Sequence, residues 1–499
     1  KREGYEIHHT GQGLGVLGMK HVARVLSTYS ADLFGVCSVL YELGGLVVMH
    51  DASGCNSTYN THDEPRWYDV DSMIYISGLI ENDVILGNDE KLICDVVEAA
   101  NETHPKFIAI SAALIPLFMS TDMKGIARII EKRTGIPTFG FTTNAMDTYV
   151  LGGNMVYEEL LDRFCPPPAK LEEGENSCAS QESAAPGGSA ASNVPIAPLV
   201  SAETPAAPSA SLSVNLLGIT PLDFSVVGNV EALNKYFADR NIRVNCCMTM
   251  GCTLEEIARA HIADVNVVCS SLAISGAHVL HEKYGTPAVL GLPTGKSAGT
   301  ELERLIRASA ADDRSRILGT SALYDTLPYE SHSRRFGAQY SLKKRAGSGT
   351  WIIGEAVNAS GIRYALEHDL GVPDVHILCP TQLDAHVLRS GDVTVRDEAD
   401  IEAVLNGAAT VIADPIYRRI LTKDENGKLP HFINMPHEAY SGRMYRSHIP
   451  VLIGEEFTDW LAEKLSGAEE FIAVNDIMKV NKPYKQNRKA QGADEALEL

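Results

Sequence analysis

The residues of this sequence best suited to chemistry are cysteines. Cys37 opens an apolar helical stretch, and Cys55 follows the apolar run Leu46–His50 through Asp51-Ala52-Ser53-Gly54. Gly54 permits a tight turn that can bare a thiolate at the edge of a sheet. Thiolates select iron–sulfur clusters, and a 4Fe–4S cluster takes about four ligands. Two cysteines from one chain would leave a partner chain to supply the rest. Other motifs fit their chemistry less well. Gly13-Leu14-Gly15-Val16-Leu17-Gly18 matches the GxGxxG dinucleotide pattern but lacks the strand such a site needs before it, so it reads as a glycine-rich turn. Gly291-Leu292-Pro293-Thr294-Gly295-Lys296-Ser297 resembles a phosphate loop but is one residue short. Loop length sets how backbone N–H groups converge on phosphate, so ATP is not expected there. Cys246, Cys247 and Cys252 lack the paired spacing of a zinc site and read as core.

These groups need a scaffold to hold them. The chain has 499 residues, 45% apolar and 21% charged, which suits two to four globular domains of roughly 100–200 residues each. Its net charge of −21 repels phosphate backbones, so nucleic acid is excluded as a partner, and so is a polybasic membrane anchor. No run approaches the roughly 20 uncharged apolar residues of a membrane span. Lys1–Thr10 has no apolar signal core. The expectation is a soluble, cytoplasmic protein whose ten cysteines are metal ligands or core residues rather than disulfides.

Residues 166–212 are dense in Pro, Ala, Ser and Gly and read as a disordered linker. They separate a first block, 1–165, from a second at 213–345 and a third at 346–470. A polar tail, 471–499, follows. Each block alternates short apolar runs with amphipathic helical patterns. Strands are expected at Leu46–His50, Phe107–Ser111 and Thr138–Thr142. The second block adds Val214–Ile219, Val244–Met248, Val265–Cys269 and Ala288–Leu292. The third adds Trp351–Gly354, Val375–Cys379, Thr410–Ala413 and His431–Met435. Helices are expected at Asp89–Ala100 behind an Asn88 cap, at Met123–Thr134 stopped by Gly135, and at Leu254–Ile262 behind a Thr253/Glu256 capping box. Strand–helix alternation with fully apolar strands predicts an α/β protein of three doubly wound, parallel-sheet, Rossmann-like domains. Such domains bind ligands beyond the carboxyl ends of their strands, where Cys55, Cys269, Cys379, Asp414 and His437 fall. A helix expected directly after Cys269 would favour its thiolate.

Several stretches in order carry a family resemblance: HDASGC (50–55), IENDVILGNDEKL (80–92), FIAIS followed by STDMKGIARIIEKRTGIP (120–137), and CMTMGCTLEEIARAHIADVNVVCSSLAISGAHVLHEKYGTP (247–287). Together they resemble component 1 of the nitrogenase superfamily, near the catalytic α subunit and its cofactor-assembly homologue. The resemblance covers most of residues 20–465 outside the linker. It implies that Cys37 and Cys55 match the first two cysteines of the family's electron-relay cluster at a subunit interface. The family's third cysteine has no counterpart in Ser111–Pro116, which points to a 4Fe–4S cluster bridged by Cys37, Cys55 and partner residues. Cys94, mid-helix, reads as core. Cys269 matches the anchor of the catalytic metallocofactor. His437, one residue out of register before Tyr440-Ser441-Gly442, stands near that cofactor's histidine ligand, so a second metallocluster would use Cys269 and His437. True nitrogen fixation is not implied. The implied function is that of a nitrogenase-like reductase subunit. It would pair with a homologous component 1 subunit and take low-potential electrons from a separate ATP-hydrolysing iron protein. The substrate would be a tetrapyrrole or a small molecule, with Arg443, Arg446 and His448 placed to meet its carboxylates. The alternative is a non-catalytic scaffold for assembly or transfer of a metallocofactor.

Overall fold

A computed structural model describes residues 30–166, 211–328 and 348–467, apart from 53, 55, 57, 58, 60–63, 382–386, 396, 397, 424 and 425. The glycine motif at Gly13–Gly18, nearly all of the linker, the polar tail and Cys55 lie outside the described residues.

Three sheets form. The first runs in the order β2-β1-β3-β4, from β1 (Leu46–His50), β2 (Met73–Ile76), β3 (Ile108–Ala112) and β4 (Thr138–Phe141), all parallel. β1 and β3 are buried at every position, as expected of strands covered on both faces. The second sheet comprises β5 (Ser213–Leu217), β6 (Arg243–Met248), β7 (Val265–Val268), β8 (Ala288–Leu290), β9 (Ser315–Ile317) and β10 (Leu323–Tyr324), in the order β10-β9-β8-β7-β5-β6. All its pairs are parallel except the short antiparallel edge β10. The third is parallel throughout, β13-β12-β11-β14-β15, from β11 (Thr350–Ile353), β12 (Val375–Cys379), β13 (Val393–Thr394), β14 (Thr410–Ala413) and β15 (His431–Asn434). The α/β fold read from the sequence is therefore present. The strand order reverses between β1 and β3, between β5 and β7, and between β11 and β14. Each reversal opens a crevice beyond the strand ends.

Local signals set the helix boundaries. Asn88 accepts the Lys91 N–H to start helix Asp89–Thr103. Gly135, at φ 73°, ends helix Met123–Thr134. The Thr253/Glu256 capping box forms as expected, but its helix stops at Ala258 and resumes as a 3₁₀ turn over Ala260–Ile262. The strands the sequence did not reveal are β2, β9, β10 and β13. All are at or near sheet edges, and none is longer than four residues.

One apolar core draws residues from all three sheets. Helix Tyr149–Phe164 is buried along most of its length between helix Asp32–Leu40 and the turn leading into helix Ile274–Tyr284. A Cβ on Gly152 would lie 1.9 Å from the Asp32 carbonyl oxygen, and one on Gly153 would lie 2.8 Å from Leu272 Cδ1. Only glycine admits both neighbours so close. Across the junction Asn154 donates to the Ser271 carbonyl at 2.8 Å and accepts from the Ser275 N–H at 2.9 Å. Tyr157 donates to the Met248 carbonyl at 2.7 Å. Among the described residues, no helix is long and apolar enough to cross a membrane.

Candidate functional site

The second and third sheets present their strand ends to each other, and carboxylates meet there. Glu355 follows β11 and Gly354, and caps helix Ala356–His368 by accepting from Val357 N–H at 3.0 Å and Asn358 N–H at 2.9 Å. The same carboxylate accepts the Ser271 N–H at 3.1 Å and its hydroxyl at 2.5 Å. Ser271 comes from the turn after β7. Its neighbour Ser270 donates to Asp223 at 2.6 Å, and Tyr149, from the first block, donates to the other Asp223 oxygen at 2.5 Å. Glu355 is fully buried, and burial together with the nearby Asp223 charge pushes its pKa up to about 7.

The third sheet closes the ring. Asp414, beyond β14, accepts from Ile416 N–H at 2.9 Å, from His437 N–H at 2.8 Å and from the Ser441 hydroxyl at 2.5 Å. It thereby fixes the loop that carries His437. The His437 ring caps the short helix Glu438–Ser441, its Nδ1 accepting the Ala439 N–H at 3.2 Å, while its Nε2 lies 3.3 Å from Asp223 Oδ1. Glu438 accepts from Ser225 at 2.8 Å and forms a forked ion pair with Arg446. These groups surround a small cleft, with Asp223, Glu355, Asn358, His437, Glu438 and Pro450 among its lining. Asn358 is 5% exposed, and neither amide atom has a hydrogen-bond partner.

The residues expected from sequence are not all brought together. His437 lines the cleft. Cys269 directly precedes Ser270 and Ser271 but is fully buried, its Sγ donating to the Val267 carbonyl at 3.7 Å, and it does not line the cleft. The helix expected directly after Cys269 begins only at Ile274, behind the 3₁₀ turn Ser271–Ala273. Burial and the Glu355 charge raise the Cys269 thiol pKa, against the expectation of a favoured thiolate. Arg446 is buried against Glu438 rather than left open to a substrate carboxylate. His448 contacts Ser447 at 3.1 Å, and the side chain of Arg443 lies outside the described ones. Cys37 is fully buried in helix Asp32–Leu40, and burial raises its thiol pKa. Phe34 of that helix packs on Tyr59 with ring centroids 4.9 Å apart, so chain just beyond position 55 lies against it. Cys94, expected in the core, is exposed and pairs with Glu90. Leu92, Ile93 and Val96 take the inward face of its helix instead.

The short glycine loop has a physical reason not to hold phosphate. Helix Gly295–Asp312 begins there, and its first free N–H groups, on Lys296 and Ser297, each donate at 3.0 Å to the Asp369 carboxylate of the third block. An internal anion thus occupies the position a phosphate would need.

The family model for nitrogenase component 1 type oxidoreductases matches residues 33–327. This chain belongs to that family. The component 1 chain is 31% identical over 179 residues to a subunit of light-independent protochlorophyllide reductase from Rhodopseudomonas palustris (strain BisB5), covering 36% of this chain and 32% of the relative. It is 21% identical over 249 residues to the nitrogenase iron-molybdenum cofactor biosynthesis protein NifE of Rippkaea orientalis, covering 48% and 44%. The matched stretch thus spans about a third to under half of these relatives' length. Two solved structures of "Nitrogenase Cp1", at pH 5 and at pH 6.5, share the fold. Their TM-scores are 0.53 and 0.57, at 14% and 13% identity over 94% and 90% of this chain and 93% and 94% of theirs.

Sequence reasoning passed over Asp223, Glu355, Asn358 and Tyr149. Glu355 could have been found, since Gly354-Glu355 ends an expected strand as Asp414 does. Asp223 carries no local signal, because its partners Tyr149 and Ser270 are distant in the chain, and Asn358 is one polar residue within an apolar helix start.

Proposed function

We propose that this component 1 chain is a subunit of a nitrogenase-like two-component reductase. It accepts low-potential electrons from an ATP-hydrolysing iron protein through an interface cluster and reduces a substrate in the cleft between its second and third sheets. The observation that carries this reading is the character of one edge of the first sheet. Ile80, Ile85, Leu86 and Phe118, on segments leaving the carboxyl ends of β2 and β3, are 57%, 70%, 81% and 79% exposed. Exposed apolar side chains on segments that leave the same end of one sheet suit a protein interface. The chain leaving β1 at the same edge runs on through position 55 to Tyr59, which packs on the Cys37 helix. A homologous subunit is the partner that edge is suited to.

Cys37 supplies the soft sulfur a cluster takes, and because burial holds its thiol protonated, ligation would displace that proton. Cys37, Cys55 and residues of the partner subunit would hold a 4Fe–4S cluster, which supplies one-electron transfer when bound. Cys94 is on the outer face of its helix, hydrogen-bonded to Glu90. The chain's own groups around the cleft then do the rest. Glu355 and Asp223 order the strand-end turns, and His437 and Asn358 line the cleft. The NifE relative supports a second reading, a scaffold that holds a cofactor precursor without turnover.

Anaerobic protein purified with its partner subunit separates these readings. Cys37→Ala and Cys55→Ala should each remove most of the iron, sulfide and cluster absorption. Undiminished iron and sulfide in both variants would refute the interface cluster. ATP-driven reduction with the cognate iron protein supports the reductase, and cluster binding without such turnover supports the scaffold.

A further inference from the structure

Beside Cys37 the first block seals an ion pair inside its core. Glu64 and Arg66 follow Cys55 in the chain, and both side chains are fully buried. Glu64 accepts from the Arg66 N–H at 3.1 Å, from Arg66 Nε at 2.6 Å and from the Tyr59 hydroxyl at 2.8 Å. Arg66 directs its other donors at the helix that carries Cys37. It donates to the carbonyl of Ser38, the neighbour of Cys37, at 2.9 Å, and to Glu42, just beyond the helix end, at 3.0 Å. Its guanidinium also lies 4.6 Å from the centre of the Tyr41 ring.

A buried ion pair is a poor device for stability alone, because desolvating two charges offsets most of their attraction, and apolar residues of similar volume often hold a segment as well. What such a pair adds is fixed charge in a place of low dielectric, where Coulomb interactions are strongest. That charge reaches Cys37. Burial comes first in holding the Cys37 thiol against ionisation, and the Glu64 carboxylate adds to it. A group that disfavours negative charge on a sulfur also disfavours an electron added to a cluster which that sulfur ligates. Iron–sulfur potentials follow the net charge, hydrogen bonding and solvent exposure around the cluster.

We propose that Glu64 is a positioning residue of the interface cluster: it ties the chain after Cys55 to the Cys37 helix through Arg66, and its buried negative charge lowers the reduction potential of the cluster that Cys37 ligates. The inference rests on that cluster being held as in the proposed function, and it names what sets the driving force there. One electron arrives from the iron protein and leaves the cluster more negative by one charge. Glu64 disfavours that reduced state, so the same electron is passed on to the substrate more readily.

A redox titration of the anaerobic full chain with its partner subunit, followed by paramagnetic resonance and by iron and sulfide content, tests it. Glu64→Gln keeps the shape of the side chain and removes its charge. It should retain iron and sulfide and raise the midpoint potential, so that the reduced-to-oxidised ratio at the wild-type midpoint increases about tenfold. Glu64→Asp keeps the charge and should return the midpoint to near the wild-type value, which a role in packing alone would not do. An unshifted or lowered midpoint in Glu64→Gln, or equal shifts in the Gln and Asp variants, overturns the proposal. If Glu64→Gln fails to fold, Glu42→Gln decides. It removes the second carboxylate on the same guanidinium and should raise the midpoint as well, by less, and no rise overturns the proposal. Wild-type protein without a cluster would overturn the interface cluster and this assignment together, whereas a cluster whose midpoint is indifferent to Glu64 would overturn this assignment alone.

Discussion

Two regions of this molecule take opposite chemical forms. At the first sheet, the Cys37 thiol is sealed among Phe34, Tyr59 and other apolar residues, while the segments that leave β2 and β3 carry exposed apolar side chains. At the cleft between the second and third sheets, polar side chains from all three blocks are buried and almost all of them are paired. The contrast shows how one fold type can serve two tasks. Strand ends place residues in a crevice, but the side chains arriving there decide whether it suits a soft ligand or hydrogen bonds. The two are joined mechanically by helix Tyr149–Phe164, whose first residue donates to Asp223 and whose glycines let helix Asp32–Leu40 approach.

The largest effect that separates the two regions is expected from Cys37→Ala, which should remove most of the iron and leave in place the pH dependence of stability that the buried Glu355 sets at the cleft. Loss of both would mean that the edge and the cleft are one cooperative site. Gly152→Ala should disturb both regions together. Its Cβ would meet the Asp32 carbonyl at 1.9 Å, an overpacking that costs about 3 kcal/mol and lowers the denaturation midpoint. An unchanged midpoint would show that the helices have room to part.

Glu355→Ala should act on the cleft alone. It strips the cap from helix Ala356–His368 and leaves the buried Ser271 groups unpaired, at a cost of about 2–4 kcal/mol by denaturant titration, with iron content unchanged. The charge of this residue also predicts a pH dependence. Glu355 and the buried Asp32, which holds the Leu33, Asn144 and Ala145 N–H groups, are both raised to about 7, from 4.5 and 3.8. In each case the folded state binds the proton more tightly. Unfolding therefore releases protons across that window, and stability falls as pH rises from about 4 to about 7 and levels off above it. Glu355→Gln should flatten part of that slope, and an unaltered slope would show that Glu355 ionises as freely as in the unfolded chain.

The smallest effect is expected at Lys296. Its backbone N–H is held by Asp369, but its side chain is exposed, so Lys296→Ala should change stability by no more than about 0.5 kcal/mol. Nucleotide binding lost in that variant would mean that Asp369 can be displaced by phosphate.

Most of the framework is legible in the sequence alone. Leu46–His50, Val375–Cys379 and Thr410–Ala413 are strands with the expected limits, and the Asn88, Gly135 and Thr253 signals act at the helix ends they mark. These features depend on neighbours within a few residues: an apolar run buried on both faces, a side chain that reaches one turn along its own helix, a glycine free to take positive φ. The short edge strands are not legible, because a strand of two to four residues has no pattern to detect. Cys94 is misplaced by sequence reasoning because mid-helix position does not say which face turns inward; Leu92, Ile93 and Val96 settle that together.

What the sequence determined by itself was the α/β alternation and the family resemblance carried by its motifs. Only the tertiary structure decided what fills each crevice. Ser271 meets Glu355 and Tyr149 meets Asp223 across long stretches of chain, and Asp369 caps a helix that belongs to another block. Contacts of that kind leave no periodicity or spacing in the sequence. They follow from how sheets stack and which strand ends face each other. The same physics turned Cys269 and Arg446, both legible as candidates, inward to Val267 and Glu438, and brought Asn358, which carried no signal, to the wall of the cleft.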